Sequence, residues 1–214
     1  MENYIITISR RFASKGHEIA ARVGGMLQIP VYDRSEVEAR VQSLPTIERT
    51  LEEKELREDN ARDRCRTDNG GKSLWKGLWH REARDEPRDE AALEFERQSA
   101  VIRAMADAGP CIILGRCADQ IFENHPRALH VFLYAREEER IRNIMQMLHT
   151  GEEEARAMLQ NEDRARDAYR KRFSAHPADE VSGRHILMDS GKLGADLCAE
   201  LLVRTAKDLF INNV

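Results

Sequence analysis

Residues 5–20, IITISRRFASKGHEIA, set Ser9, Arg10, Arg11, Ser14, Lys15, Gly16 and His17 between an apolar run and an amphipathic one. A strand, a short loop and a helix in that order offer unpaired backbone N–H groups and the positive end of a helix dipole. Phosphate is the anion that such a turn attracts. The stretch departs from the usual motif G-x-x-x-x-G-K-[ST]. Arg10 stands at the first Gly, and Lys15-Gly16-His17 stands where Gly-Lys-Ser/Thr belongs. The rest of the chain must therefore decide.

Ligands of an open parallel sheet bind at the carboxyl ends of its strands, so the residues that follow each apolar run are the candidates. Asp33 follows the second run. Arg116 and Asp119 follow CIILG, Arg136 and Glu137 follow LHVFLYA, and Ser190 and Gly191 follow HILMD. Singly, each reads as a helix cap or a surface charge. Together at one edge, these cations, carboxylates and backbone donors suit phosphates and a magnesium ion. A second cluster runs from Asp163 to Arg172, where Asp163, Arg166 and Arg170 share a helical face at i, i+3, i+7. Either it is a solvated helix laced with ion pairs, or it is a lid whose arginines close over phosphates.

The elements that must position these residues follow from hydrophobic period. Residues 4–9 read as a buried strand. Residues 15–28 read as a helix with Ile19, Val23, Met26 and Leu27 inward, and 29–33 as a short extended segment. That β–α–β order starts a parallel sheet. Residues 35–108 are helical in pattern and highly charged, ending in a helix over 89–108 with Val101, Ala104 and Met105 on its inner face. The exposed-looking Trp75, Leu78 and Trp79 need burial against the domain or in a dimer contact. Strands are expected at 111–115, 129–135 and 185–189. Helices are expected at 136–148, 152–173 and 194–210, the last with Leu197, Leu201, Leu202 and Leu209.

At 214 residues the chain is one domain with a real core. Its net charge of −4 argues against a general nucleic-acid or anionic-membrane binder. No apolar run spans a bilayer, and residues 1–10 do not form a signal peptide. Cys65, Cys111, Cys117 and Cys198 show neither zinc nor disulfide spacing, and Cys111 and Cys198 read as core residues. A reducing cytoplasm fits this usage.

IITISRRFASKGHEIAARVGGMLQIPVYDRSEV resembles the opening of the cytidylate kinase-like proteins, relatives of the bacterial CMP kinases. AVIRAMADAGPCIILGRCADQIF, with its G-R-C-A-D core, continues the likeness, as do VFLYAREEERIRNIM and DRARDAYRKRF. The resemblance implies a P-loop NTPase-like α/β fold over residues 1–214, with a helical insertion at about 35–108 acting as an acceptor-binding subdomain or homodimer arm. It implies phosphoryl transfer from Mg²⁺-ATP to a cytidine nucleotide or related acceptor. Ser9, Arg10, Ser14, Lys15, Gly16 and His17 would hold the donor phosphates, with Arg164 and Ser190 also on the ATP. Asp33 would lie near the acceptor or its metal, and Arg116 and Asp119 would face the acceptor. Lys15, Arg116, Asp119, Arg166 and Arg170 would act in transfer.

The sequence departs from the family pattern at the loop glycines, which are Ala13 and Lys15 here. Glycine serves where a backbone takes positive φ or approaches phosphate closely. Phe173-Ser174-Ala175-His176-Pro177 likewise replaces a Gly-rich turn. These departures motivate two other readings. One is a nucleotide-binding regulatory or assembly protein that has lost catalysis. The other is a ligand-free structural dimer.

Overall fold

A computed structural model describes residues 3–43, 89–177 and 181–212. The expectations for Cys65 and for the Trp75, Leu78 and Trp79 segment lie outside the described residues. So does most of the 35–108 insertion.

Alternating burial sets the sheet. Ile6 and Ile8 of β1 (Ile5–Arg10) face one side, and Ile5 and Thr7 face the other. The other strands are β2 (Val31–Tyr32), β3 (Cys111–Leu114), β4 (Ala128–Tyr134) and β5 (Ile186–Asp189). All pairings are parallel, in the order β2-β3-β1-β4-β5. A sheet buried on both faces needs continuous apolar strands, and CIIL is wholly buried. β1 leads toward β2 and β3, whereas β4 leads toward β5, so the connections part above the carboxyl end of β1. Ligand crevices form at such a point. Register enlarges the opening: β1 pairs with β3 only as far as Ile8 opposite Leu114, but with β4 as far as Arg10 opposite Leu133. Ser9 and Arg10 thus overhang β3.

Helix α1 (Gly16–Leu27) packs on the Ile6/Ile8 face beside α7 (Ser190–Phe210). The other face carries α2 (Arg34–Ser43), α3 (Glu90–Asp107) and the one-turn α4 (Ala118–Ile121). Above the strand ends, α5 (Glu137–Leu148) and α6 (Glu152–Phe173) share a small core of Ile141, Ile144, Ala155 and Leu159. None of the described helices is long and apolar enough to cross a membrane. Cys111 and Cys198 are buried free thiols.

Several expected faces differ. Met26 is 47% exposed, and Leu197, Leu201, Leu209 and Ala104 also face outward. In α7 the buried stripe is Ala195, Cys198, Ala199, Leu202 and Ala206. Small side chains let α7 lie close to Ala20 and Gly24 of α1, and close packing outweighs the larger leucines. α7 also starts four residues before the expected 194. Asp189 caps it by accepting from the N–H groups of Gly191 and Lys192, and the helix bends at Gly194, where φ is 78°.

The fully buried Ile8→Ala variant is expected to lose about 2–5 kcal/mol of stability. Met26→Ala is expected to stay within about 0.5 kcal/mol of the parent. Urea unfolding midpoints of the two variants check both values.

Candidate functional site

The loop after β1 is shaped by contacts to its backbone. Arg11 N–H donates to the Leu133 carbonyl at 3.0 Å. The Ser14 hydroxyl turns inward to the carbonyls of Arg11 (2.8 Å) and Leu133 (3.3 Å). From behind, the buried Ser190 hydroxyl donates to the carbonyls of Ser14 (2.8 Å) and Tyr134 (2.9 Å). From above, Asn143 donates to the Ala13 carbonyl at 2.9 Å. Ala13 and Lys15 both take left-handed backbone, each at φ 57°. Left-handed residues set beside right-handed ones can turn successive N–H groups toward one concavity, the form of an anion nest. α1 opens directly from it with no side-chain cap.

Helix α6 closes over this loop with the face that carries Asp163, Arg166, Asp167 and Arg170. Asp163 Oδ1 accepts Phe12 N–H at 3.0 Å, and Asp163 Oδ2 pairs with Arg140 at 2.6 Å. Arg166 donates to the Arg10 carbonyl at 3.2 Å, and Arg11 pairs with Asp167 at 2.9 Å. Deeper, Arg170 forks onto Asp119 at 3.0 and 2.7 Å. Asp119 is 6% exposed and Arg170 8%. Burial alone would raise the Asp119 carboxyl, but the hydrogen bonds and charge of Arg170 outweigh it and hold the group below its ordinary value.

Between the sheet edge and α6 lies a cavity of about 400 Å³. Arg10, Arg11, Arg34, Arg116, Arg166, Arg170 and Arg184 line it, against Glu162, Asp163 and Asp167. Cations therefore dominate, and two of the three acids are already engaged. Arg116 reaches Glu38 of α2 at 2.6 Å and lies over the Tyr169 ring at 5.2 Å. Burial, with the charge of Arg166, pushes Arg10 down to about 10. Burial first, then Arg10, lowers the His17 imidazole as well. A pocket of desolvated cations is a site for an anion.

The candidate residues thus divide by place. Ser9, Arg10, Arg116, Arg166 and Arg170 line the cavity. Ser14, Lys15, Gly16 and His17 form the adjoining loop and the start of α1. Lys15 is exposed and does not line the cavity; its charge is felt at Cys198 of α7. Asp33 Oδ1 caps α2 through Ser35 and Glu36, while its Oδ2 lies 3.8 Å from His17. Asp119 sits beneath Arg170, Ser190 behind the loop, and Arg164 on the exposed side of α6. Sequence reasoning missed Arg34, Arg140, Asn143, Tyr169 and Arg184 as site residues. The shared α6 face was the signal for Tyr169, one position before Arg170. Nothing in the pattern marked Arg184, which reaches the cavity from the turn before β5.

The Cytidylate kinase-like family matches residues 5–192. No curated protein matches the chain. Among solved structures, an uncharacterised protein from Eubacterium ventriosum has a TM-score of 0.68 at 18% identity, covering 96% of this chain and 99% of that one. A shikimate kinase from Bacteroides thetaiotaomicron has a TM-score of 0.50 at 14% identity, covering 96% and 97%. At these identities the likeness shows the fold: a parallel sheet flanked by helices, as in P-loop kinases.

Asp119→Asn leaves Arg170 buried without its counter-charge and is expected to cost about 3–5 kcal/mol at neutral pH. Because the folded pKa of Asp119 lies below its ordinary 3.8, the wild-type advantage is full above that value. It is lost as pH falls through the folded pKa. Denaturant titrations of both proteins at pH 7 and below pH 3.8 should show the gap narrow.

Proposed function

The chain belongs to the cytidylate kinase-like family, and we propose that it is an ATP-dependent phosphotransferase whose acceptor carries its own anionic group. The observation that supports this most directly is the arginine-lined cavity beside the start of α1. A nest of backbone donors and a pocket of cations, side by side, suit two phosphates that must meet. Phosphoryl transfer needs little covalent help from a protein; it needs positioning and stabilisation of charge.

In this reading the N–H groups of Ser14, Lys15, Gly16 and His17 hold the donor phosphates. Gly16 leaves room for the Arg10 stem beside them. Arg116 and Arg166 bind the acceptor's anion under α6, with Tyr169 as an apolar wall. The family description favours a cytidine nucleotide as acceptor. No group of three or more His, Cys, Asp or Glu residues suited to a metal ion occurs among the described residues. That fits magnesium carried mainly by phosphate oxygens. Asp33 would supply the protein's share through Oδ2, since Oδ1 is committed to α2. When bound, magnesium neutralises charge on those oxygens. Closure of α6 over the loop keeps water from the transfer.

A second reading, nucleotide binding without turnover, is favoured by the placement of Lys15 outside the cavity. One assay separates the two: ATP-dependent phosphorylation across nucleoside monophosphates with Mg²⁺, run beside direct ATP binding. The kinase reading expects turnover, and a fall in kcat/KM of about 10²-fold or more in Arg116→Ala. ATP binding with no transfer to any acceptor supports the second reading. Absence of ATP binding at millimolar concentration sinks both.

A further inference from the structure

Arg10 leaves the sheet along a path kept clear by two glycines from different loops. A Cβ on Gly16 would stand 2.9 Å from Arg10 Cγ, and one on Gly115 would stand 2.0 Å from Arg10 Nη1. Gly16 opens α1, while Gly115, at φ 83°, begins the turn that carries Arg116. The stem of Arg10 therefore passes the donor loop, and its guanidinium lies against the turn on the acceptor side. The two missing side chains leave room for the path that Arg10 takes.

The ion pairs at this edge go to its neighbours. Arg11 takes Asp167, Arg116 takes Glu38 and Arg170 takes Asp119. Among the described residues, no carboxylate lies within ion-pair distance of Arg10. Its charged surroundings are Arg166, Asp33 and Arg116, two cations to one acid. It remains protonated at neutral pH, desolvated and short of negative charge. Such a cation is stabilised by an anion brought to it.

We propose that Arg10 is a cation shared by two anion subsites, the donor phosphates at the start of α1 and the acceptor anion beside Arg116 and Arg166. It takes the place of the ammonium that a loop lysine would offer, since Lys15 lies outside the cavity. The identity of the two anions rests on the phosphotransfer reading; the sharing of one guanidinium between them does not. A residue that merely packs between Gly16 and Gly115 would affect stability but not the binding of both anions.

The test titrates the full chain by calorimetry with inorganic tripolyphosphate, as probe of the donor subsite, and with inorganic phosphate, as probe of the acceptor subsite. Arg10→Met keeps the stem and removes the charge. It is expected to weaken both probes roughly 10-fold or more, the scale of a lost charge-assisted hydrogen bond. Arg116→Ala is expected to weaken phosphate alone. Arg10→Lys keeps the charge but loses the fork, so both affinities should fall by a smaller factor; this variant carries the test if Arg10→Met fails to fold. Loss of one probe only, or of neither, in the Arg10 variants overturns the proposal, as does a wild-type chain that binds neither probe. A wild-type chain that binds both probes, with both lost in Arg10→Met, supports the proposal even where no acceptor is phosphorylated. That last outcome removes the kinase reading alone.

Discussion

One carboxylate joins the loop after β1 to the helices above it. Asp163 accepts the Phe12 N–H with one oxygen and the Arg140 guanidinium with the other, and Arg140 reaches on to the Phe12 carbonyl at 3.3 Å. A single side chain of α6 thus ties together the loop, α5 and α6. The small core of Ile141, Ile144, Ala155 and Leu159 then packs against Phe12 and Ala13 instead of against solvent. The cavity exists because of this attachment: the sheet edge forms its floor, and α6, held at a fixed distance, forms its roof. A neutral residue at 163 could satisfy one partner but not both.

The same attachment explains the charge of the cavity. α6 carries acids and arginines on its inner face, and the acids are used for holding. Asp163 serves Phe12 and Arg140, and Asp167 serves Arg11. Lower down, Asp119 accepts Arg170 and lies 3.9 Å from Arg184. With its acids engaged in this way, the cavity keeps an excess of positive charge. Arg10 and Arg166 carry that excess into a partly desolvated space, where an opposite charge is worth far more than in water. Structural pairing and anion attraction are therefore two results of one distribution.

Much of this arrangement is legible in the sequence because it rests on period. The five strands and most helices announce themselves by apolar runs and 3.6-residue spacing, and the carboxyl-end rule gathers Ser9, Arg10 and Arg116 at one edge. The α6 face was visible too, since Asp163, Arg166 and Arg170 recur at helical spacing. What period cannot supply is partnership across the chain. Asp119 and Arg170 stand 51 residues apart, and nothing local says that each engages the other. Nor does a Leu-rich stripe reveal that Ala195, Ala199 and Ala206 lie nearer the sheet than Leu197, Leu201 and Leu209. Arg184 is invisible for a related reason: a turn residue has no period, and only the fold brings it to the Phe132 ring.

The non-glycine loop shows how one level of structure can stand in for another. A glycine at position 13 or 15 would adopt φ near +57° without steric cost, and the loop would carry its shape by itself. Ala13 and Lys15 each give up roughly 1 kcal/mol to be there. For Ala13 the compensation lies in the neighbours. Its methyl packs against the α5–α6 core, and Asn143 holds its carbonyl. Lys15 is held through the loop on either side of it, by the contacts of Ser14 with Leu133 and Ser190. The conformation that a glycine loop owns locally is here borrowed from α5, α6, β4 and α7. Loop and roof must then order together, so a change buried in the α5–α6 core reaches the loop without touching it.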